Sequence, residues 1–189
     1  MANEFNDIEK KLLSAVADLE SIPQGAVSIR ENGVSRLRTS SKNIEIRPKT
    51  DRQGIDIIIA AGTKNESVHI PVIMTESGLH DVVYNDFYVG EGADVVIVAG
   101  CGIDNCGGKK SEHDGIHTFH LGRGSKVKYV EKHLGSGVGS GGRVLDPVTD
   151  IIMDEDSVFD MEPVQLGGVT SSVRKTAATL KTGAKLTIS

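Results

Sequence analysis

Aromatic side chains are scarce in this chain, at 4% of 189 residues, and tryptophan is absent. Proteins that read single-stranded nucleic acid stack bases on aromatic platforms, so that class is excluded. Cysteine is limited to Cys101 and Cys106. Two are too few for the disulfide framework of a small secreted domain. Long apolar runs are missing too: residues 57–61 and 95–99 fall far short of the roughly 20 that a membrane helix needs. No basic stripe accompanies the net charge of -5, so neither a nucleic acid nor a membrane is expected as partner. The first ten residues carry Glu4, Asp7 and Glu9 where a signal peptide needs a basic start and an apolar stretch. Together these features point to the cytoplasm.

Glycine is the opposite case, at 22 residues, well above an average share of roughly 7%. It shows no every-third-residue period, which excludes collagen. A core without many aromatics must be built from Val, Ile, Leu and Met, on a backbone that turns often.

The expected organisation is an N-terminal helical and mixed segment over residues 1–40 and a strand-rich body over 41–189. Residues 7–20 read as a helix, with Ile8, Leu12, Ala15, Val16 and Leu19 on one face at three- and four-residue steps. Ser21 and Pro23 are the expected stop. Short strands are expected over 27–37, 43–47, 55–60 and 68–74.

From residue 80 the sequence repeats. FYVGEGADV (87–95) aligns with FHLGRGSKV (119–127), IIMDEDSVF (151–159) and ATLKTGAKL (178–186). Each unit reads as strand, tight turn, small residue, strand. Gly90, Gly92, Gly122, Gly124, Asp154, Asp156 and Gly183 occupy the turns as residues that tolerate positive φ. Phe87 and Val89 align with Phe119 and Leu121, and Val95 with Val127 and Phe159. Asp94, Lys126 and Lys185 sit between the apolar positions, as a half-buried strand requires. A period of about 32 residues indicates stacked coils, hence a parallel β-helix in an all-β fold with a short N-terminal helix. An antiparallel sandwich explains the alternation but not the register. The sequence stops within the strand 185–189, which suggests a core incomplete at its C-terminal end, or an end covered by a partner.

Both cysteines and four of the six histidines fall within residues 101–133. Thiolate and imidazole are ligands for zinc, copper and iron. Cys101, Cys106, His113, His117, Glu131 and His133 are the metal-ligand candidates, the two cysteines also being the groups to receive sulfur. The register makes Cys101 the neighbour of His133 in the next coil, and Ala99 that of Glu131. Glu131 and His117 share the inward parity of the core, so they are paired or metal-bound there, or solvated where the strands twist out. His120 has outward parity and reads as a surface residue. Gly100, Gly102, Gly107 and Gly108 flank the cysteines, where a close-approaching backbone would leave the thiols accessible.

Two motifs fail on context. GVGSGG (137–142) matches G-x-G-x-x-G but leads into a strand and turn, not the helix a dinucleotide fingerprint opens. CGGKKS (106–111) is like a P-loop, but Lys109 is followed by Lys110 and Ile103 stands where the first Gly belongs. No nucleotide is expected to bind this chain by itself.

The runs AGCGIDNCGG (99–108), HDGIH (113–117) and VKYVEKH (127–133) resemble the core of the SufB/SufD family, above all its short archaeal and clostridial members. The resemblance extends from about residue 72 to residue 189. It implies a right-handed parallel β-helix that pairs with a second SufB- or SufD-type subunit, identical or not. It also implies a scaffold role beside the ABC-type ATPase SufC, on which transient iron–sulfur clusters are assembled from iron and persulfide sulfur. Two other readings compete. One is a carbohydrate-active β-helix enzyme using Asp154, Glu155 and Asp156. The other is a structural subunit with inert cysteines.

Overall fold

A computed structural model describes residues 5–19 and 25–189. Ser21 and Pro23, the expected helix stop, lie outside the described residues. Helix α1 (Asp7–Ala17) starts where Asn6 accepts hydrogen bonds from the backbone N–H groups of Ile8 and Glu9. The Glu9 carboxylate accepts in return from the Asn6 N–H at 2.8 Å, which completes a capping box. Asp18, in the left-handed conformation at φ 55°, closes the helix. The buried face is Leu12, Leu13, Val16 and Ala17. Ile8, expected on that face, is exposed, because the capping box turns Glu9 inward in its place.

Among the described residues fourteen strands follow: β1 (Ala26–Glu31), β2 (Val34–Thr39), β3 (Ile44–Pro48), β4 (Gly54–Ile59), β5 (Lys64–Met74), β6 (His80–Val89), β7 (Asp94–Asp104), β8 (Ser111–Leu121), β9 (Lys126–Ser136), β10 (Arg143–Leu145), β11 (Val148–Met153), β12 (Val158–Gly167), β13 (Lys175–Leu180) and β14 (Lys185–Ile188). They form two seven- and six-membered stacks, ordered β14-β12-β9-β7-β5-β1-β2 and β13-β11-β8-β6-β4-β3, with β10 added beside β8. Successive coils pair in parallel, giving a β-solenoid of about four turns. The first coil is finished on both sheets by an antiparallel strand, β2 on β1 and β3 on β4. The expected strand over 27–37 is in fact this β1–β2 hairpin. Asn32 and Gly33, both at positive φ, fold it back as an Asn-Gly turn does.

The repeat is reproduced residue for residue. Phe87 pairs with Phe119, Phe119 with Ile151, and Ile151 with Ala178. Val95, Val127, Phe159 and Leu186 form the matching column on the other sheet. The turns stack as well. Gly92, Gly124, Asp156 and Gly183 all have φ between 58° and 74°. Gly92 N–H donates to the Arg123 carbonyl of the next turn, and Gly124 N–H to that of Glu155. Gly90 and Gly122 have ordinary φ and serve a different need. A Cβ at Gly90 would lie 2.4 Å from the Ala61 backbone nitrogen, so only glycine permits the coils to close up there.

The interior is a column of Ile, Val, Leu and Met around Phe87, Phe119, Tyr129 and Phe159. Phe87 and Phe119 stack with centroids 4.3 Å apart. Four of the seven aromatics thus converge in one place, and the aliphatic ladder does the rest. Helix α1 packs on the outer face of β5, β7 and β9, where Leu12, Leu13 and Val16 meet Val27, Ile29, Ile73 and Val98.

Gly100 and Gly102 make that docking possible. A Cβ at Gly100 would lie 2.2 Å from the Val16 carbonyl, and one at Gly102 2.9 Å from Leu12. Their role is to admit the helix and not to expose the neighbouring thiol. Gly100→Val should therefore cost ~1–3 kcal/mol of unfolding free energy in a denaturant titration. Gly108→Ala, which meets only Ser140 Oγ at 3.7 Å, should stay within about 0.5 kcal/mol of the parent. Equal effects would show that α1 does not depend on this contact.

Candidate functional site

Between the aromatic cluster and a second apolar group of Val72, Met74, Ile103 and Leu145 the solenoid interior turns polar. Alternation along the strands is the cause. On β7 and β9 the inward positions after Ile97 and Tyr129 are Ala99 and Cys101, then Glu131 and His133. On β6 and β8 they are Asp81, Val83 and Asn85, then His113, Gly115 and His117. All of these except Ala99, Val83 and Gly115 are polar or thiol-bearing, and all are buried. Cys101 is opposite His133 in the adjoining strand, and Asp81 and Asn85 are opposite His113 and His117.

Burying such groups without partners costs several kcal/mol each, and the interior supplies partners. His117 Nδ1 lies 2.7 Å from the Tyr129 hydroxyl, which donates to Glu131 Oε1 at 2.9 Å. Asn85 Nδ2 lies 3.4 Å from His117 Nε2. Arg174 pairs with the second Glu131 oxygen, and His133 Nε2 stands 4.0 Å from Oε1. A separate relay runs from Arg30, which donates to both Asp81 oxygens at 2.6 and 2.8 Å, to His113 Nδ1 3.2 Å from Asp81 Oδ2. Each carboxylate thus has its own arginine.

The electrostatics follow from this pairing. Burial pushes the Asp81 carboxyl up, but Arg30 and His113 outweigh it and hold the group well below the usual carboxylate range. Glu131 is likewise lowered against its burial, by His133, His117 and Arg174. Burial pushes His117 down to about 4 and lowers His133 too, Glu131 opposing both shifts. Burial, with Asp81 and Glu131 nearby, drives the Cys101 thiol far up, and burial with Glu131 does the same to Tyr129. At neutral pH the layer holds ionised carboxylates, neutral His117 and His133, and a protonated thiol.

Cys101, His113, His117, Glu131 and His133, five of the six expected residues, line one cavity with Asn85, Gly115 and Pro147. Its volume is about 20 Å³, room for one water molecule or one metal ion. Cys106 is not among them. It is exposed beyond the end of β7, where its thiol lies 3.3 Å from Asp104 Oδ1. His120 faces outward as expected and stacks on Tyr88. Asp154 and Asp156 belong to the third stacked turn, where Asp154 accepts from the Glu155 N–H and pairs with Lys181. The loop 137–142 leads into β10 and lies against the Cys106–Lys109 segment, with Arg143 donating to the carbonyls of Asn105, Ser136, Gly137 and Gly139. Neither it nor the 106–111 loop opens a helix.

Asp81, Asn85, Tyr129, Arg30 and Arg174 were not among the expected site residues. The first two were within reach, because each lies 32 residues before a candidate histidine. The arginines enter from strand β1 and from the loop after β12, outside the repeat. Among the described residues, no helix is long and apolar enough to cross a membrane. Neither known protein families, nor characterised proteins, nor solved structures provide a match to this chain.

Two predictions follow from the burial and ionisation of this layer. Under native conditions a thiol alkylating reagent should modify Cys106 rapidly and Cys101 only on unfolding, which peptide mass mapping would show. Rapid labelling of both would mean that the interior opens readily. Stability should also be acid-sensitive. Above its ordinary pKa of 6.5, His117 is neutral in the folded and unfolded chain and costs nothing. Below it the unfolded chain takes up a proton that the folded one refuses until about pH 4. The depressed carboxyls of Asp81 and Glu131 add a loss of the same sign at lower pH. The His117 part amounts to about 3 kcal/mol. His117→Gln should flatten the pH 4–6.5 slope in denaturant titrations, and an unchanged slope would refute the assignment.

Proposed function

We propose that this chain is a scaffold subunit on which iron–sulfur clusters are assembled, with iron and sulfide as its cargo. In this reading it works beside an ABC-type ATPase of the SufC kind and a second subunit of the SufB/SufD type, in the cytoplasm. The observation that carries the reading is the thiol, imidazole and carboxylate layer inside an otherwise aliphatic solenoid. The likeness of residues 99–133 to the SufB/SufD core supports it.

The donor set suits iron and sulfur chemistry. Cys101 supplies a thiol, His113, His117 and His133 supply imidazoles, and Glu131 supplies a carboxylate. The space suits less: about 20 Å³ takes a single ion, not a cluster. Cluster building on this layer therefore requires the coils to part locally. The Arg174–Glu131 pair, at the partly exposed edge of the layer, is the contact whose release frees Glu131. An ATPase partner would supply the work. The raised pKa of Cys101 has a matching consequence. The packed thiol is a poor nucleophile, and iron binding must expel its proton. Cys106, exposed outside the layer, is the more accessible thiol for incoming persulfide sulfur.

Anaerobic reconstitution with ferrous iron and sulfide, with the ATPase partner and nucleotide present, tests the reading. Charge-transfer absorption should appear with the parent chain and fall at least several-fold in Cys101→Ser and His133→Ala. Cys106→Ser should retain absorption with inorganic sulfide and lose it when a persulfide donor, with a dithiol reductant to bring its sulfur to sulfide, is the only sulfur source. Undiminished absorption in Cys101→Ser would leave the layer a structural feature with an inert thiol.

A further inference from the structure

Outside the solenoid, on the solvent side of the same two strands, lies a cluster that the proposed assembly role does not use. His80 begins β6 and is opposite Glu112 on β8. Asp114 is two residues further along β8, on the same face because side chains alternate. One ligand atom from each of His80, Glu112 and Asp114 lies within 4.8 Å of the other two. His80 Nε2 is 2.9 Å from Asp114 Oδ2. The other carboxylate oxygen, Asp114 Oδ1, is shielded from solvent and has no hydrogen-bond partner. A sheltered acceptor beside an imidazole and a second carboxylate is a donor set with unused capacity.

We propose that His80, Glu112 and Asp114 form a surface site for one divalent first-row transition-metal ion. The chemistry selects the class: one imidazole nitrogen and two carboxylates suit manganese, ferrous iron, cobalt or zinc, whereas calcium prefers an all-oxygen shell. Three protein ligands leave further positions to water. Lys110 pairs with Glu112 and is the cation that the metal displaces. The backbone under the ligands is two hydrogen-bonded strands, and β8 is flanked on its other side by β10, so the two carboxylates are held in advance. The inner layer differs: among the described residues, it does not bring three such ligand atoms within that distance.

The two places share a scaffold. Asp81 follows His80, and His113 lies between Glu112 and Asp114, so inner and outer groups project from opposite faces of one strand pair. The outer site nevertheless stands on its own ligands and does not need the assembly role to be right.

Titration of the chain with Co²⁺ tests the proposal, because cobalt spectra separate nitrogen and oxygen ligands from thiolate. One Co²⁺ per chain should bind with ligand-field absorption and no thiolate-to-cobalt charge-transfer band. His80→Ala and Asp114→Asn should each weaken binding about tenfold or more, with circular dichroism confirming that these surface variants remain folded. Cys101→Ser should leave the affinity unchanged. Affinity unaltered in both His80→Ala and Asp114→Asn would overturn the site. So would a charge-transfer band that Cys101→Ser removes, since the ion would then lie in the interior.

Discussion

Parallel stacking at a fixed register is the constraint on which this molecule depends. Every coil shares its backbone hydrogen bonds with the coils beside it, so a residue's neighbour stands one coil away, 32 positions along the central coils and 27 at the last. That condition turns a linear repeat into columns. Phe87 must share a column with Phe119, and Cys101 one with His133. It also governs the turns, where the coils approach so closely that Gly90 and Gly122 have no room for a Cβ. Stacking thus accounts for much of the glycine excess, and the column of aliphatic side chains compensates for the few aromatics.

The same constraint produces the polar interior. A strand cannot turn one side chain outward without reversing all its others. Once Phe119 and Tyr129 point inward, His117, Glu131 and His133 must as well. The solenoid keeps them by giving each carboxylate an arginine from outside the repeat, Arg30 for Asp81 and Arg174 for Glu131. Such an arrangement is weak as a source of stability, because buried ion pairs roughly repay their own desolvation. Its effect is on ionisation: a charged Glu131 carboxylate, neutral imidazoles at His117 and His133, and a protonated thiol coexist in one small cavity. The chemistry proposed for the layer starts from that state.

Helix α1 shows the exterior under the same rule. Val98, Gly100 and Gly102 are the outward positions of β7, and they offer a flat apolar strip that a helix can cover. Two glycines that look in the sequence like a flexible setting for Cys101 are there for the opposite purpose. They let Val16 and Leu12 approach, and the thiol beside them is sealed in.

The fold was legible in the chain because its information is local and repeated. Alternation assigned the faces, the 32-residue offset assigned the neighbours, and Cys101, His117, Glu131 and His133 lie where register and parity placed them, with His113 beside them. Period and parity are consequences of strand geometry, so they survive without any knowledge of packing. What they leave open is reach. Cys106 has the right chemistry but sits one residue past Asn105, where the strand has ended and parity no longer applies, so it faces solvent. The hairpin at Asn32–Gly33 interrupts a stretch that reads as one strand, because two residues at positive φ reverse the chain. Arg30 and Arg174 carry no periodic signal, and only the closed solenoid brings their long side chains onto Asp81 and Glu131. Burial, and with it the ionisation of every group in the layer, depends on atoms arriving from several coils at once, and for that reason it belongs to the tertiary structure alone.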